Sequence, residues 1–183
     1  MPRILALSGS LRAGSYNTQL ARLASTLAPP GTTVDVATLH GIPLYDADLE
    51  EHSGIPAAVE QLKQQILACD GLLLVTPEYN NGIPGVMKNG IDWLSRADRT
   101  AIFSDRPVCV IGATPGGWGT LSAQSAWLPT LRMLGTREYH GHKVLLSHAA
   151  SVFSDGAPKD ETLERTLAEL LTGFSDYIVQ QTR

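Results

Sequence analysis

The sequence predicts a single α/β domain of three layers, a parallel sheet with helices packed on both faces. Three observations carry this. Apolar runs rich in β-branched residues alternate with amphipathic helical stretches, which is the sequence form of a parallel sheet with covering helices. Two of the runs, Gly71–Thr76 and Val108–Ala113, are continuously apolar, as strands buried on both faces must be. The length is 183 residues, about one domain on a scale of roughly 100–200 residues per domain.

The first strand spans Arg3–Ser8 and ends in a Gly/Ser loop. A helix is expected from Asn17, with Leu20, Leu23, Ala24 and Leu27 at spacings of three and four until Pro29-Pro30 stops it. Thr32–Leu39 alternates, with Asp35 outward, and reads as an edge strand. Ile55, Val59, Leu62, Ile66 and Cys69 form the stripe of a second helix. After the third strand, Pro84 suits a first helical turn, where its missing N–H is not needed, and that helix is expected to reach about Arg96. Thr120–Leu134 is helical in pattern, but Pro129 inside it predicts a kink or break. Lys143–Ser147 reads as a fifth strand, and Leu163, Leu167, Leu170, Leu171, Phe174 and Ile178 mark a last helix.

Composition narrows the function. Fourteen basic and 18 acidic side chains give a net charge of −4, and no basic cluster stands ready to neutralise a row of phosphates, so nucleic acid is not an expected partner. No segment approaches the roughly 18 apolar residues of a membrane span, so the chain reads as a cytoplasmic protein with no membrane role. Cys69 and Cys109 have neither CxxC nor metal-ligand spacing and are expected to be buried. His140 and His142 would share one face of a strand, without a third ligand nearby.

In open parallel sheets ligands bind beyond the carboxyl ends of the strands, where the strand order reverses. The loops expected to meet there are the most unusual in the chain. The first, Ser8-Gly9-Ser10-Leu11-Arg12-Ala13-Gly14-Ser15-Tyr16-Asn17, sets hydroxyls and one guanidinium before a helix start. Unpaired N–H groups, the helix dipole and Arg12 together suit a phosphate dianion, whereas a simple cap would need only one of these polar side chains. Neither GxGxxG nor GK[ST] is present, so a mononucleotide fits better than a dinucleotide or a magnesium triphosphate. The second loop, Thr76–Gly85, carries Pro77, Glu78, Tyr79, Asn80 and Asn81, a stiff wall for a flat heteroaromatic ring. The third, Thr114-Pro115-Gly116-Gly117-Trp118-Gly119, allows close backbone approach to a ligand's carbonyl edge.

These residues closely resemble the NAD(P)H-dependent FMN reductases, a flavodoxin-like family that includes quinone, chromate and azo-dye reductases. The resemblance rests on Gly9-Ser10-Leu11-Arg12 with Ser15 and Asn17, on Ile42-Pro43-Leu44-Tyr45-Asp46-Ala47-Asp48, and on Pro77-Glu78-Tyr79-Asn80. It continues through Ile83-Pro84-Gly85-Val86-Met87-Lys88-Asn89 to Ile91-Asp92-Trp93-Leu94-Ser95-Arg96. It implies a five-stranded parallel sheet in the order 2-1-3-4-5 and bound FMN, with NADPH or NADH as electron donor. Ser10, Arg12, Ser15 and Asn17 would hold the phosphate, Pro77, Glu78, Tyr79 and Asn80 would line the isoalloxazine, and Tyr16 and Asn81 are further cofactor-binding candidates. The Gly116–Gly119 loop, with Gly116, Gly117 and Gly119, would meet its pyrimidine edge, and Thr114 and Pro115 are also cofactor-binding candidates. A hydride would pass through the flavin to a quinone, free flavin, chromate or azo acceptor, with no protein acid or base required.

A homodimer or homotetramer is also implied, and Trp93, Trp118, Trp127 and Leu128 are apolar groups that one core need not cover. Gly82, Ser122 and Leu128 depart from the family pattern. Two rival readings are weaker. A flavodoxin-like electron carrier attracts its partners with stronger acidic charge than −4. A tyrosine phosphatase needs a nucleophilic cysteine ahead of the loop arginine, where this chain has Ala6.

Overall fold

A computed structural model describes residues 1–154, 158 and 160–181. The strands are β1 (Arg3–Ser8), β2 (Thr33–Thr38), β3 (Gly71–Val75), β4 (Pro107–Ala113), β5 (Arg137–Glu138) and β6 (Leu145–Leu146). All pair in parallel, in the order β2-β1-β3-β4-β5, with β6 also on β4. The helices are α1 (Tyr16–Thr26), α2 (Ala47–Ser53), α3 (Ala57–Leu67), α4 (Gly85–Phe103), α5 (Leu121–Leu134), α6 (Ala149–Val152) and α7 (Glu161–Gln181).

Alternation along the strands builds two cores, because successive side chains point to opposite faces. Ile4 and Ala6 of β1 join Leu20 of α1 and Leu167, Leu170 and Phe174 of α7 on one side. Leu5 and Leu7 join Leu62 of α3, Trp93 of α4 and Trp127 of α5 on the other. The three-layer expectation therefore holds. Both cysteines are buried free thiols. Burial pushes the Cys109 thiol up to about 12, so at neutral pH it is an unreactive apolar group.

Several elements differ from the sequence reading. The fifth position of the sheet is split, with Arg137–Glu138 pairing the start of β4 and Leu145–Leu146 its end. Between them the chain turns away, and Gly141 packs so tightly on Tyr139 that a Cβ would lie 2.1 Å from Oη. His140 and His142 consequently do not share a strand face; they lie 3.9 Å from Glu138 and Glu169 respectively. α2 was not expected, since none of its residues is buried and no apolar stripe marks it. The helix after β3 runs on to Phe103, interrupted at Asp98, whose carboxylate accepts from the Ala101 N–H at 3.0 Å and restarts it. α5 continues through Pro129 instead of breaking. Ser125 and Pro129 are both exposed there, so the carbonyl deprived of its helical donor can meet water.

Two of the quoted motifs serve this framework. The Asn89 side chain donates to the Pro43 carbonyl and accepts from the Tyr45 N–H, both at 2.8 Å. Trp93 Nε1 donates to the same Pro43 carbonyl, and the Tyr45 ring meets the Trp93 ring edge-on at 4.9 Å. A hydrogen bond from the Arg96 guanidinium holds the Glu50 carboxyl below its ordinary value. The segment before α2 is thereby fastened to α4, which carries the loop after β3.

Candidate functional site

The three loops converge beyond the carboxyl ends of β1, β3 and β4. Gly9 begins the first: its N–H donates to the Val75 carbonyl at 2.9 Å, prolonging the ladder between β1 and β3. A Cβ there would lie 2.4 Å from Met87 Sδ and 2.9 Å from Pro77 Cδ, so only glycine lets this loop rest against α4 and the second loop. Ser10 Oγ accepts from the Arg12 N–H at 3.3 Å, and the Arg12 carbonyl from the Ser15 N–H at 3.0 Å, which folds residues 10–15 into a compact arch.

Ser15 caps α1, its hydroxyl accepting from the Thr18 N–H at 3.2 Å. The cap lies at Ser15 and not at Asn17, which frees Asn17 for another task. Asn17 is buried, and its amide bonds Ala113 twice, donating to the carbonyl at 2.8 Å and accepting from the N–H at 2.9 Å. It joins α1 to the end of β4. The Tyr16 and Asn17 N–H groups, in the first helical turn, have no acceptor within the helix. The Arg12 guanidinium lies 4.8 Å above the Tyr16 ring, which stacks in turn on Phe153 at 6.3 Å. This row of planar groups holds the charge beside Tyr16, the first residue of α1.

The second loop is anchored to α5. Thr76 Oγ1 accepts from Trp127 Nε1 at 3.2 Å, and Glu78 Oε2 accepts from the Ala123 N–H at 2.9 Å. Tyr79 to Gly82 form a tight antiparallel turn in which Asn80 and Asn81 have φ of 50° and 57°. Two successive left-handed residues are the requirement of a type I′ turn, and Asn meets it better than most side chains.

The third loop zips onto the segment after β6. Thr114 donates to the Leu146 carbonyl, and the carbonyls of Thr114 and Gly116 accept from the N–H groups of Ala149 and His148. Gly119 has φ of 65° and a Cβ there would lie 2.6 Å from the Leu145 carbonyl, so it closes this packing.

A cleft of about 370 Å³ lies between the loops, within the usual size of small-molecule sites. It brings together Ser10, Arg12, Ser15, Tyr16 and Asn17 from the first loop, Pro77, Glu78 and Tyr79 from the second, and Thr114 and Pro115 from the third. The remaining candidates are not on its wall. Asn80 and Asn81 occupy the turn tip, while Gly116, Gly117 and Gly119 lie farther along the third loop. Ala113 lines the cleft although the sequence marked it only as the end of an apolar run. A larger groove of about 650 Å³ beside Arg3, Asp35 and Gln64 lies where β1 and β2 begin, the end of a parallel sheet that does not carry ligands. Among the described residues no group of three or more His, Cys, Asp or Glu could hold a metal, and no helix is long and apolar enough to cross a membrane.

This strand order, with a polar arch and a helix start beside the switch point between β1 and β3, defines a flavodoxin-like protein of the mononucleotide-binding kind. Residues 2–151 match the profile of the NADPH-dependent FMN reductase family. An NAD(P)H-dependent FMN reductase of Pseudomonas aeruginosa is 42% identical over 151 residues, covering 82% of this chain and 80% of that protein. A quinone reductase of Escherichia coli is 42% identical over 123 residues, covering 67% of this chain and 65% of that protein. The solved flavoenzyme FerB of Paracoccus denitrificans, an NAD(P)H:(acceptor) oxidoreductase, superimposes with a TM-score of 0.86 at 30% identity over 99% of both chains. The chain belongs to the NADPH-dependent FMN reductase family and is an NAD(P)H- and FMN-dependent oxidoreductase.

Proposed function

We propose that the protein uses the cleft to pass electrons from NADPH or NADH, through FMN, to a quinone or a similarly flat small acceptor. The observation that carries the reading is the arch of residues 10–17. There the unspent amides of Tyr16 and Asn17, the buried hydroxyls of Ser10 and Ser15, and the Arg12 guanidinium border one cleft. Such donors satisfy a dianion that a neutral ligand would leave unused. The cleft fits the cofactor in a second respect, since Pro77, Tyr79 and Pro115 give its far end apolar, stiff walls suited to a planar ring.

Bound FMN would supply the chemistry of hydride transfer from the nicotinamide and of reduction of the acceptor by two electrons and two protons, one of them drawn from solvent. The chain's own residues hold, orient and exclude water. Arg12, fixed by the Tyr16 ring, holds the phosphate. On the third loop, Thr114 and Pro115 border the cleft and would bound the ring on that side. Tyr79, half exposed at the rim, bounds the space open to donor and acceptor alike.

Use of the same cleft by donor and acceptor means that they occupy it in turn. Initial-rate plots against NADPH at several quinone concentrations are expected to be parallel. Intersecting lines would contradict alternating occupancy, and bound flavin that NADPH fails to bleach would favour the electron carrier.

Self-association into a homodimer or homotetramer belongs to the same reading. Trp93 and Trp127 are fully buried, but Trp118 is 86% exposed and is accompanied by exposed Leu121, Leu128 and Met133 on α5 and its approach. Leu121 and Leu128, seven residues apart on one face of α5, are the proposed contact between copies. Light scattering is expected to give a multiple of 19.6 kDa, and a monomer mass would contradict it.

A further inference from the structure

We propose that Glu78 is a positioning residue: its carboxylate, carried on the second loop, caps α5 and so sets the gap between the second and third loops. The inference rests on the reading of that gap as the slot for the FMN ring, and it assigns Glu78 a different task from lining the ring.

Helix α5 receives no side-chain cap from Thr120, the residue that precedes it. Thr120 is fully buried, and its hydroxyl accepts instead from Gln124 Nε2 at 3.0 Å. The first turn of α5 would leave the N–H of its third residue, Ala123, without an acceptor. Glu78 Oε2 supplies one at 2.9 Å from a loop 45 positions earlier. A carboxylate suits this position doubly, because it accepts a charge-assisted bond and opposes the positive end of the helix dipole.

Thr76 and Trp127 make a second tie one helical turn farther along. The second loop therefore holds α5 at two adjacent turns, and α5 begins directly after the third loop. On the opposite side the third loop is held by the N–H groups of His148 and Ala149. The Glu78 tie acts at the first turn of α5, next to the third loop, so loosening it lets the gap between the second and third loops widen.

The test uses the full-length protein with Glu78→Ala and Glu78→Gln. Amide exchange at Ala123 is followed by NMR in the flavin-free protein, and FMN affinity by fluorescence quenching. Glu78→Ala is expected to speed exchange at Ala123 and to weaken FMN binding, each about tenfold. It should also shift the visible absorption band of bound flavin, a change that simple loss of stability does not produce. Glu78→Gln retains the acceptor and is expected to stay within about threefold of the parent in both measurements.

A Glu78→Ala protein with weakened FMN binding but unchanged Ala123 exchange would overturn the proposal, since the side chain would then act on the ring directly. Freed Ala123 with unaltered FMN affinity would overturn it as well. If Glu78→Ala does not fold, Glu78→Gln decides, and lost affinity with intact Ala123 protection contradicts the positioning role. Failure of the parent protein to bind FMN would refute the proposed function; the exchange comparison would still report on the cap.

Discussion

Replacing Gly112 by alanine is expected to cost about 3 kcal/mol of folding stability, at the upper end of the range for forcing a methyl group into a packed interior. The added Cβ would lie 2.1 Å from the Thr76 carbonyl and 2.3 Å from Thr120 Oγ1. Neither neighbour can yield cheaply. The Thr76 backbone is fixed by its N–H bond to the Ile111 carbonyl at 2.8 Å, and the Thr120 side chain is buried where α5 begins. A single methyl group would therefore push apart the second loop and the start of α5, the same two elements that Glu78 joins. Urea unfolding checks this, and Gly85→Ala provides the control, because a Cβ on Gly85 meets nothing within 4 Å. The account requires a much lower midpoint for the first variant and a parental or higher one for the second. Equal midpoints would contradict the close approach.

The second large effect is expected at Asn17. Leucine in its place keeps the volume but removes both hydrogen bonds to Ala113 and leaves a buried N–H and a buried carbonyl unpaired. At about 1–3 kcal/mol for each unsatisfied group, the loss is roughly 2–6 kcal/mol. Asn17→Asp separates the two bonds, since a carboxylate still accepts from the Ala113 N–H but meets the Ala113 carbonyl as another acceptor. Both variants should be less stable, and both should bind FMN more weakly, because the Asn17 tie sets the start of α1 against the end of β4. A leucine variant within about 0.5 kcal/mol of the parent, the ordinary range of a surface change, would mean that the amide does not fasten these elements.

Asn17 and Glu78 also mark how far the sequence is legible. Both stand out as residue types, in loops that are visibly unlike ordinary turns, and the structure brings both to the cleft. Their partners, Ala113 and Ala123, are an alanine N–H or carbonyl 96 and 45 positions away, and nothing in a linear pattern points to a backbone group. The central strands were readable because burial on both faces leaves an unbroken apolar run. The split edge was not, since Arg137–Glu138 and Leu145–Leu146 are too short to show a period. α2 buries no residue, and so lacks the stripe that announces a helix. Pro129 leaves α5 unbroken for a related reason: its cost in a helix depends in part on whether the freed carbonyl faces water, which a sequence does not state. At Asn80 and Asn81 the residue type also meets a backbone need that the sequence does not announce, two successive left-handed residues.

The central claim is that the arch from Ser10 to Asn17 grips a phosphate monoester at the carboxyl rim of the sheet. Parallel fluorescence titrations of the flavin-free protein with FMN and with riboflavin, which differ only in that group, test it most directly. Two or three charge-assisted hydrogen bonds predict that FMN binds about a hundredfold more tightly, with the gap narrowing as salt is added. Equal affinity for the two flavins, or saturable binding of neither, would contradict the account.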